Sequence, residues 1–264
     1  MLIDTHCHLD FTQFDSDREE VIKRAKLNKV QAIINIGTDL NSSLKSRDIA
    51  SEYDNIFFSL GFHPHYADDF NESLFKDGYI FGQRIEDLTN NRKLVAIGEV
   101  GLDYYKSLSE RKTQQKVFLR FIEISQKLNL PLVVHSRESQ DDVFSILRSE
   151  LDSLSQVVFH CFSGPFDFLE KCLDLGAMFS FTANVTYPKA SAIRDFVRRL
   201  PLRNIMLETD APYLSPQKFR GQRNEPAYVN LVAQEVAEIK NCSIEEVAST
   251  TTSNAKRFFN LKKS

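Results

Sequence analysis

The chain has 264 residues, 42% hydrophobic and 26% charged, with a net charge of -3. That is ordinary globular composition at a length that suits one domain, taken here as 1–264. It excludes a disordered chain and a polycation with a global basic field, so any contact with nucleic acid must come from a few placed arginines.

The first apolar run, LIDTH (2–6), is followed by a helical pattern over 16–27. QAIINIG (31–37) and IFFSLG (56–61) come next. The segment 66–93 is longer than a simple connection needs and predicts a loop or helical insertion after the third strand. LVAIGE (94–99) precedes TQQKVFLRFIEISQKL (113–128), where Val117, Phe118, Phe121, Ile122 and Leu128 recur at helical spacing. PLVVH (131–135), VVFH (157–160), AMFSF (177–181) and NIMLETD (204–210) complete eight β runs, and 226–239 is again helical in pattern. Short continuous apolar runs read as strands buried on both faces. Eight of them alternating with helices predict an α/β fold, the (β/α)8 TIM-type barrel. An open doubly wound sheet is the other arrangement, but no Gly-rich phosphate loop follows the first strand.

No apolar run approaches the roughly 20 residues that span a bilayer. Asp4 and His6 stand where a signal peptide would have a basic start. Cys7, Cys161, Cys172 and Cys242 form no C-x-x-C pair and read as free thiols. A cytoplasmic protein without a membrane segment or an obligate protein partner is the expectation.

All six histidines fall at or just beyond the downstream ends of the β runs: His6, His8, His63, His65, His135 and His160. Glu99 ends the fourth run, and Glu208 and Asp210 end the eighth. In a parallel barrel these ends converge on the face where active sites are built.

Histidine and carboxylate donors without a thiolate set suit divalent ions such as zinc, manganese or magnesium. His6 and His8, two apart on a strand, point to one side and can grip one ion, whereas Cys7 points away. Asp4 shares their parity and is a candidate support. The donors are too many for one catalytic ion, which takes about three protein ligands plus water. Two ions about 3.5–4 Å apart, bridged by a carboxylate, fit better and suit hydrolysis of phosphodiesters. Arg137, beside His135, and Arg220 in FRGQRNEP (219–226) offer guanidinium forks for phosphate oxygens. Backbone N–H groups of the HCFSGP turn (160–165) and the aromatic pair Tyr104-Tyr105 are further candidate contacts.

IDTHCHLDFTQFDSDREEVIKRA, GFHPHYA, AIGEVGLDYY, LPLVVHSRES, HCFSG, LETDAPYL and RGQRNEPAYV, in this order, resemble the TatD-like metal-dependent deoxyribonucleases of the amidohydrolase-like group. The resemblance runs from residue 2 to about 261, where TTSNAKRFFNL matches the family's closing helix. It implies a distorted barrel and a divalent-metal nuclease acting on DNA. His6, His8 and Asp210 would hold one ion, His135 and His160 a second, and Glu99 would bridge. His63 would face the scissile phosphate. His65, Arg137, Arg220 and Asn224 would contact substrate. Phosphotriesterase-type barrels are similar but often bridge with a modified lysine, where this chain has Glu99.

The expected reaction is hydrolysis of a DNA phosphodiester, as a 3′-5′ exonuclease on single strands. Asp210 would take the water's proton, with Glu99 and His63 the other catalytic residues. A second reading keeps the ligands and changes the bond to an amide, lactone or aminoacyl ester. A third makes the protein a DNA-binding scaffold with structural metals, which usually employ four closed ligands including cysteine.

Overall fold

The structure, a computed structural model, describes residues 1–71 and 88–261. The apolar runs form β1 (Leu2–Cys7), β2 (Val30–Asn35), β3 (Ile56–Leu60), β4 (Leu94–Asp103), β5 (Leu132–Arg137), β6 (Val157–Phe159), β7 (Met178–Phe181) and β8 (Ile205–Leu207). They pair in parallel in sequence order, the (β/α)8 barrel that the alternation predicts. Helices α1 (Arg18–Leu27), α2 (Leu40–Glu52), α3 (Arg111–Leu128), α4 (Gln140–Glu150), α5 (Phe166–Asp174) and α6 (Ser191–Arg199) lie between strands. Helices α7 (Val229–Lys240) and α8 (Ile244–Phe258) follow β8.

The barrel closes just beyond β8. The Asp210 N–H donates to the His6 carbonyl and the His8 N–H to the Ala211 carbonyl, each at 2.8 Å. The Thr5 hydroxyl adds a bond to the Leu207 carbonyl at 3.1 Å.

Strand alternation divides the core in two. Ile3, Ile34, Val133, Val158, Met178 and Met206 form an inner cluster, which Ala255 and Phe259 at the end of α8 plug from below. The larger cluster lies between strands and helices, where Val117, Phe118, Phe121 and Ile122 of α3 are buried. Each such side chain stabilises the fold by about 1.5–3 kcal/mol. Cys7 belongs to this outer cluster, so it does face away from His6 and His8. All four cysteines are free.

Two boundaries differ from the sequence pattern. β4 continues four residues past Glu99, to Asp103. It can do so because Gly101, at φ 139°, lies so close to β5 that a Cβ would collide with the His135 carbonyl. β8 stops at Leu207, so Glu208, Thr209 and Asp210 lie in the segment beyond it. Helix α2 buries Ser42, Ser43 and Ser46 alongside Ile49 and Ala50. Of the predicted insertion at 66–93, residues 72–87 lie outside the described residues. Among the described residues, no helix is long and apolar enough to cross a membrane.

Candidate metal centre

Glu99 is buried at the centre of the mouth, 3% exposed, and its two oxygens face different histidines. Oε1 lies 2.6 Å from His160 Nε2, 2.8 Å from His135 Nδ1 and 3.4 Å from His63 Nε2. Oε2 lies 3.4 Å from His6 Nε2. On that second side, His8 Nε2 approaches His6 Nε2 at 3.3 Å. Asp210 Oδ1 stands 3.4 Å from His8 Nε2 and 3.7 Å from His6 Nε2. Strand positions alone bring these groups together: β1 and the turn after it, β4, β5, and the residues just past β3, β6 and β8.

His6, His8 and Glu99 form one group that can hold a metal ion; His63, Glu99 and His135 form another. All six predicted metal ligands therefore lie in one cluster. His63 is closer to them than a purely substrate-facing residue, because its Nε2 points at the same Glu99 oxygen as His135 and His160. Its Nδ1 accepts a hydrogen bond from the His65 N–H, which fixes that ring orientation.

The rings are held from behind by different means. His8 Nδ1 meets the Ile36 carbonyl at 3.1 Å, which places its proton there and leaves Nε2 free to ligate. His135 Nε2 meets Asp103 Oδ2 at 3.2 Å, leaving Nδ1 for the centre. The other two outward nitrogens, His6 Nδ1 and His160 Nδ1, are buried without a hydrogen bond. Glu208 stands behind both, 4.0 Å from the first and 3.7 Å from the second. Its own carboxylate is fixed by Ser180 Oγ at 2.6 Å and the Cys161 N–H at 2.7 Å.

These contacts set the charge states. Burial would raise the pKa of Glu99, but His160, His63 and His135 around it hold it well below the carboxylate range. Burial opposes and His8 with His6 lower that of Asp210. Burial would depress His160, yet Glu99 and Glu208 raise it well above the usual histidine value. His63, with burial dominant, is pushed down to about 4. A pocket of ionised carboxylates thus draws cations, and the His135 and His160 nitrogens that face it stand 3.1 Å apart, both turned to the same Glu99 oxygen. Histidine and carboxylate donors of this kind fit divalent metal ions.

Asp103 is the contributor that the strand pattern missed. It is 1% exposed and accepts from His65 Nε2 at 2.8 Å as well as from His135. Burial opposes ionisation, but these two bonds and the Lys106 N–H keep its pKa far below the ordinary aspartate value. The signal was its even spacing from Glu99 on one strand, which an early strand end concealed.

Several expectations are corrected. Asn224 is fully buried, donating to the Thr209 and Tyr213 carbonyls and accepting from the Glu225 N–H, so it pins the loop and contacts no substrate in this arrangement. His65 has its ring nitrogen on Asp103 and supports the site from its edge. Asp4 does support the site, from behind: it accepts from the His6 N–H at 3.3 Å and from the Thr209 N–H and hydroxyl, with burial raising its pKa to about 8. The Cys161 N–H of the HCFSGP turn is committed to Glu208. Tyr104 is committed too, its hydroxyl donating to Asp142 and its ring lying under Arg111.

Arg137 and Arg220 are exposed and form no ion pair among the described residues. Each guanidinium lies over a tyrosine ring, Arg137 at 4.0 Å from Tyr105 and Arg220 at 4.2 Å from Tyr187. Arg223, by contrast, is paired with Asp17 at 2.7 Å.

A family model described as TatD related DNase matches residues 3–260. An uncharacterized metal-dependent hydrolase of Bacillus subtilis, YabD, is 39% identical over 99% of this chain and 100% of its own length. A 3′-5′ ssDNA/RNA exonuclease, TatD, of Pantoea ananatis is 32% identical over 98% of this chain and 100% of its own. The crystal structure of YjjV, a TatD homologue from Escherichia coli K12, superposes with a TM-score of 0.89 at 30% identity, covering 99% of this chain and 98% of that one.

Proposed function

This chain belongs to the TatD-related DNase family of metal-dependent hydrolases, and from that premise we propose that it hydrolyses phosphodiesters of single-stranded DNA, shortening strands from the 3′ end in the cytoplasm. The observation that carries the reading is Glu99, a buried carboxylate with His63, His135 and His160 around one oxygen and His6 at the other. That is the arrangement a pair of bridged ions requires. The Pantoea ananatis relative, by its name, supplies the bond and the polarity.

His6, His8 and Asp210 would hold one ion, His135 and His160 the other, and Glu99 both. When bound, the ions would lower the pKa of an attacking water toward neutrality and offset phosphate charge. The residues do the rest. Asp210, ionised at neutral pH and reaching the mouth with 15% of its side chain exposed, accepts the water's proton. His63 is neutral at pH 7 and presents Nε2 toward the centre, where it orients the phosphate. Arg137 and Arg220, held flat on their tyrosines, bind phosphate oxygens at the rim.

The test is a 5′-labelled single-stranded oligonucleotide given to metal-depleted protein with Mg²⁺, Mn²⁺ or Zn²⁺ restored. A ladder shortening from the 3′ end is expected, and His135→Ala should abolish it. Intact DNA alongside cleaved esters or lactones would overturn the reading.

A further inference from the structure

Around the mouth, the exposed aromatic rings are unevenly placed. Among the described residues, the large hydrophobic side chains counted as exposed are Met1, Leu27, Leu108 and three tyrosines, Tyr66, Tyr105 and Tyr213. The three tyrosines follow β3, β4 and β8, so all stand on the metal-centre side. Tyr105 carries Arg137 on its face. Tyr66 and Tyr213, 42% and 51% exposed, line one cleft of about 310 Å³ together with Phe11, Thr38, Asn41 and Lys45.

The cleft is joined to the metal centre through rings. Phe11 stacks on His8 at 4.6 Å and 13°, and meets Tyr213 edge-on at 6.1 Å. Tyr66 meets His63 edge-on at 6.3 Å. A group lying in the cleft is therefore one aromatic ring away from two of the proposed working histidines.

Charge excludes one kind of occupant. The wall carries the carboxylates of Asp10 and Asp39, which cap neighbouring groups: Asp10 accepts from Asn35 and Ser42, Asp39 from the Ser42 N–H. A phosphate placed there would face them, with Lys45 the one cation of the lining. A flat uncharged ring meets no such repulsion and finds aromatic faces, with a threonine and an asparagine for its polar edge. Arg137 and Arg220, both exposed and each stacked on a tyrosine ring, lie outside this cleft.

We propose that the Phe11–Tyr66–Tyr213 cleft is a nucleobase subsite, holding the base of a nucleotide next to the scissile bond while the two arginines hold backbone phosphates. This rests on the nuclease reading above and adds to it that the enzyme requires bases, not only a phosphodiester chain. Recognition by stacking is sequence-tolerant, because every base offers a π-face.

The experiment compares kcat/KM on a single-stranded oligonucleotide with that on a tetrahydrofuran polymer of equal length, which keeps every phosphodiester and lacks every base. The metal-loaded wild type should prefer the base-bearing strand by about tenfold or more, given the strength of base–aromatic stacking. Tyr213→Leu should lower that ratio at least about fivefold, Tyr66→Leu should act in the same direction, and Tyr213→Phe should retain the ratio. Equal cleavage of both strands by wild type, or an equal loss on both in Tyr213→Leu, overturns the subsite and leaves the nuclease reading standing. Cleavage of neither strand removes the nuclease reading, and the subsite with it.

Discussion

The two sides of Glu99 are built differently. On the side of β1 and β8, main chain holds one ring and the acid: His8 by the Ile36 carbonyl, and the neighbouring Asp210 by its own N–H on the His6 carbonyl. Asp210 also sits at φ 56°, a left-handed conformation that costs a non-glycine residue about 1 kcal/mol or more. On the side of β4, β5 and β6, a buried carboxylate, Asp103, does the holding through His135. The first side therefore depends on the barrel being closed, the second on one ionised side chain. A point substitution can remove the second kind of support and leave the fold, but can hardly remove the first.

The largest expected effect erases the difference. Glu99→Gln keeps the volume but lacks the charge proposed to bridge, so both sides should lose metal together. Metal content should fall on both counts, and hydrolysis should drop by more than about 100-fold, beyond what loss of an outer partner costs. Near-normal activity or two retained ions would show that Glu99 does not bridge.

Asp103→Asn should separate the sides. It leaves His135 in place without its charged partner, and outer partners of this kind are worth about 10–100-fold in metal affinity. In a calorimetric metal titration, one binding phase should weaken and the other stay. Equal weakening of both phases would mean that the two sides are not independent.

Glu208→Gln should act on both phases, since Glu208 backs His6 on one side and His160 on the other. The effect should be smaller than for Asp103, because its contacts are 3.7 and 4.0 Å rather than 3.2 Å. A change confined to one phase would assign Glu208 to one ion alone.

The smallest effect tests the outer rim of the β4 side. Burial first, and then the Asp142 carboxylate, push the Tyr104 phenol up to about 12. An unfolded tyrosine ionises near about 10. The folded pKa of this acid is raised, so the contribution is intact below pH 10 and is lost as pH climbs from there toward 12. Asp142→Asn should narrow that loss in alkaline unfolding curves, and ultraviolet titration should show a phenol ionising earlier than in the wild type. An unchanged titration would place the cause in burial alone.

The eight strands and the clustering of the six candidate ligands were legible because both follow from one rule: short apolar runs that end in polar residues. The rule fails where a strand is not apolar to its end. β4 passes through Gly98 and Gly101 before reaching Asp103, and glycines carry no hydrophobic signal. Helix α2 gives a weak apolar signal as well, because Ser42, Ser43 and Ser46 share its buried face with Ile49 and Ala50. Asn224 shows the reverse error. A polar residue in a motif beside a ligand loop was read as a substrate contact, but its amide is consumed by holding that loop. Main-chain partners such as the Ile36 carbonyl have no letter in the sequence, so no pattern of residues can announce them.

The closure between β1 and the segment after β8 has a consequence for how such a protein is made. Thr209 and Asp4, the pair that locks this seam, are 205 positions apart. A chain leaving the ribosome exposes His6 and His8 well before Asp210. Throughout that interval the two histidines lack the acid that stands beside them in the folded chain, and Asp210 reaches them in the same motion that shuts the barrel. The candidate site on that side is thus complete only once β1 and the segment after β8 have met.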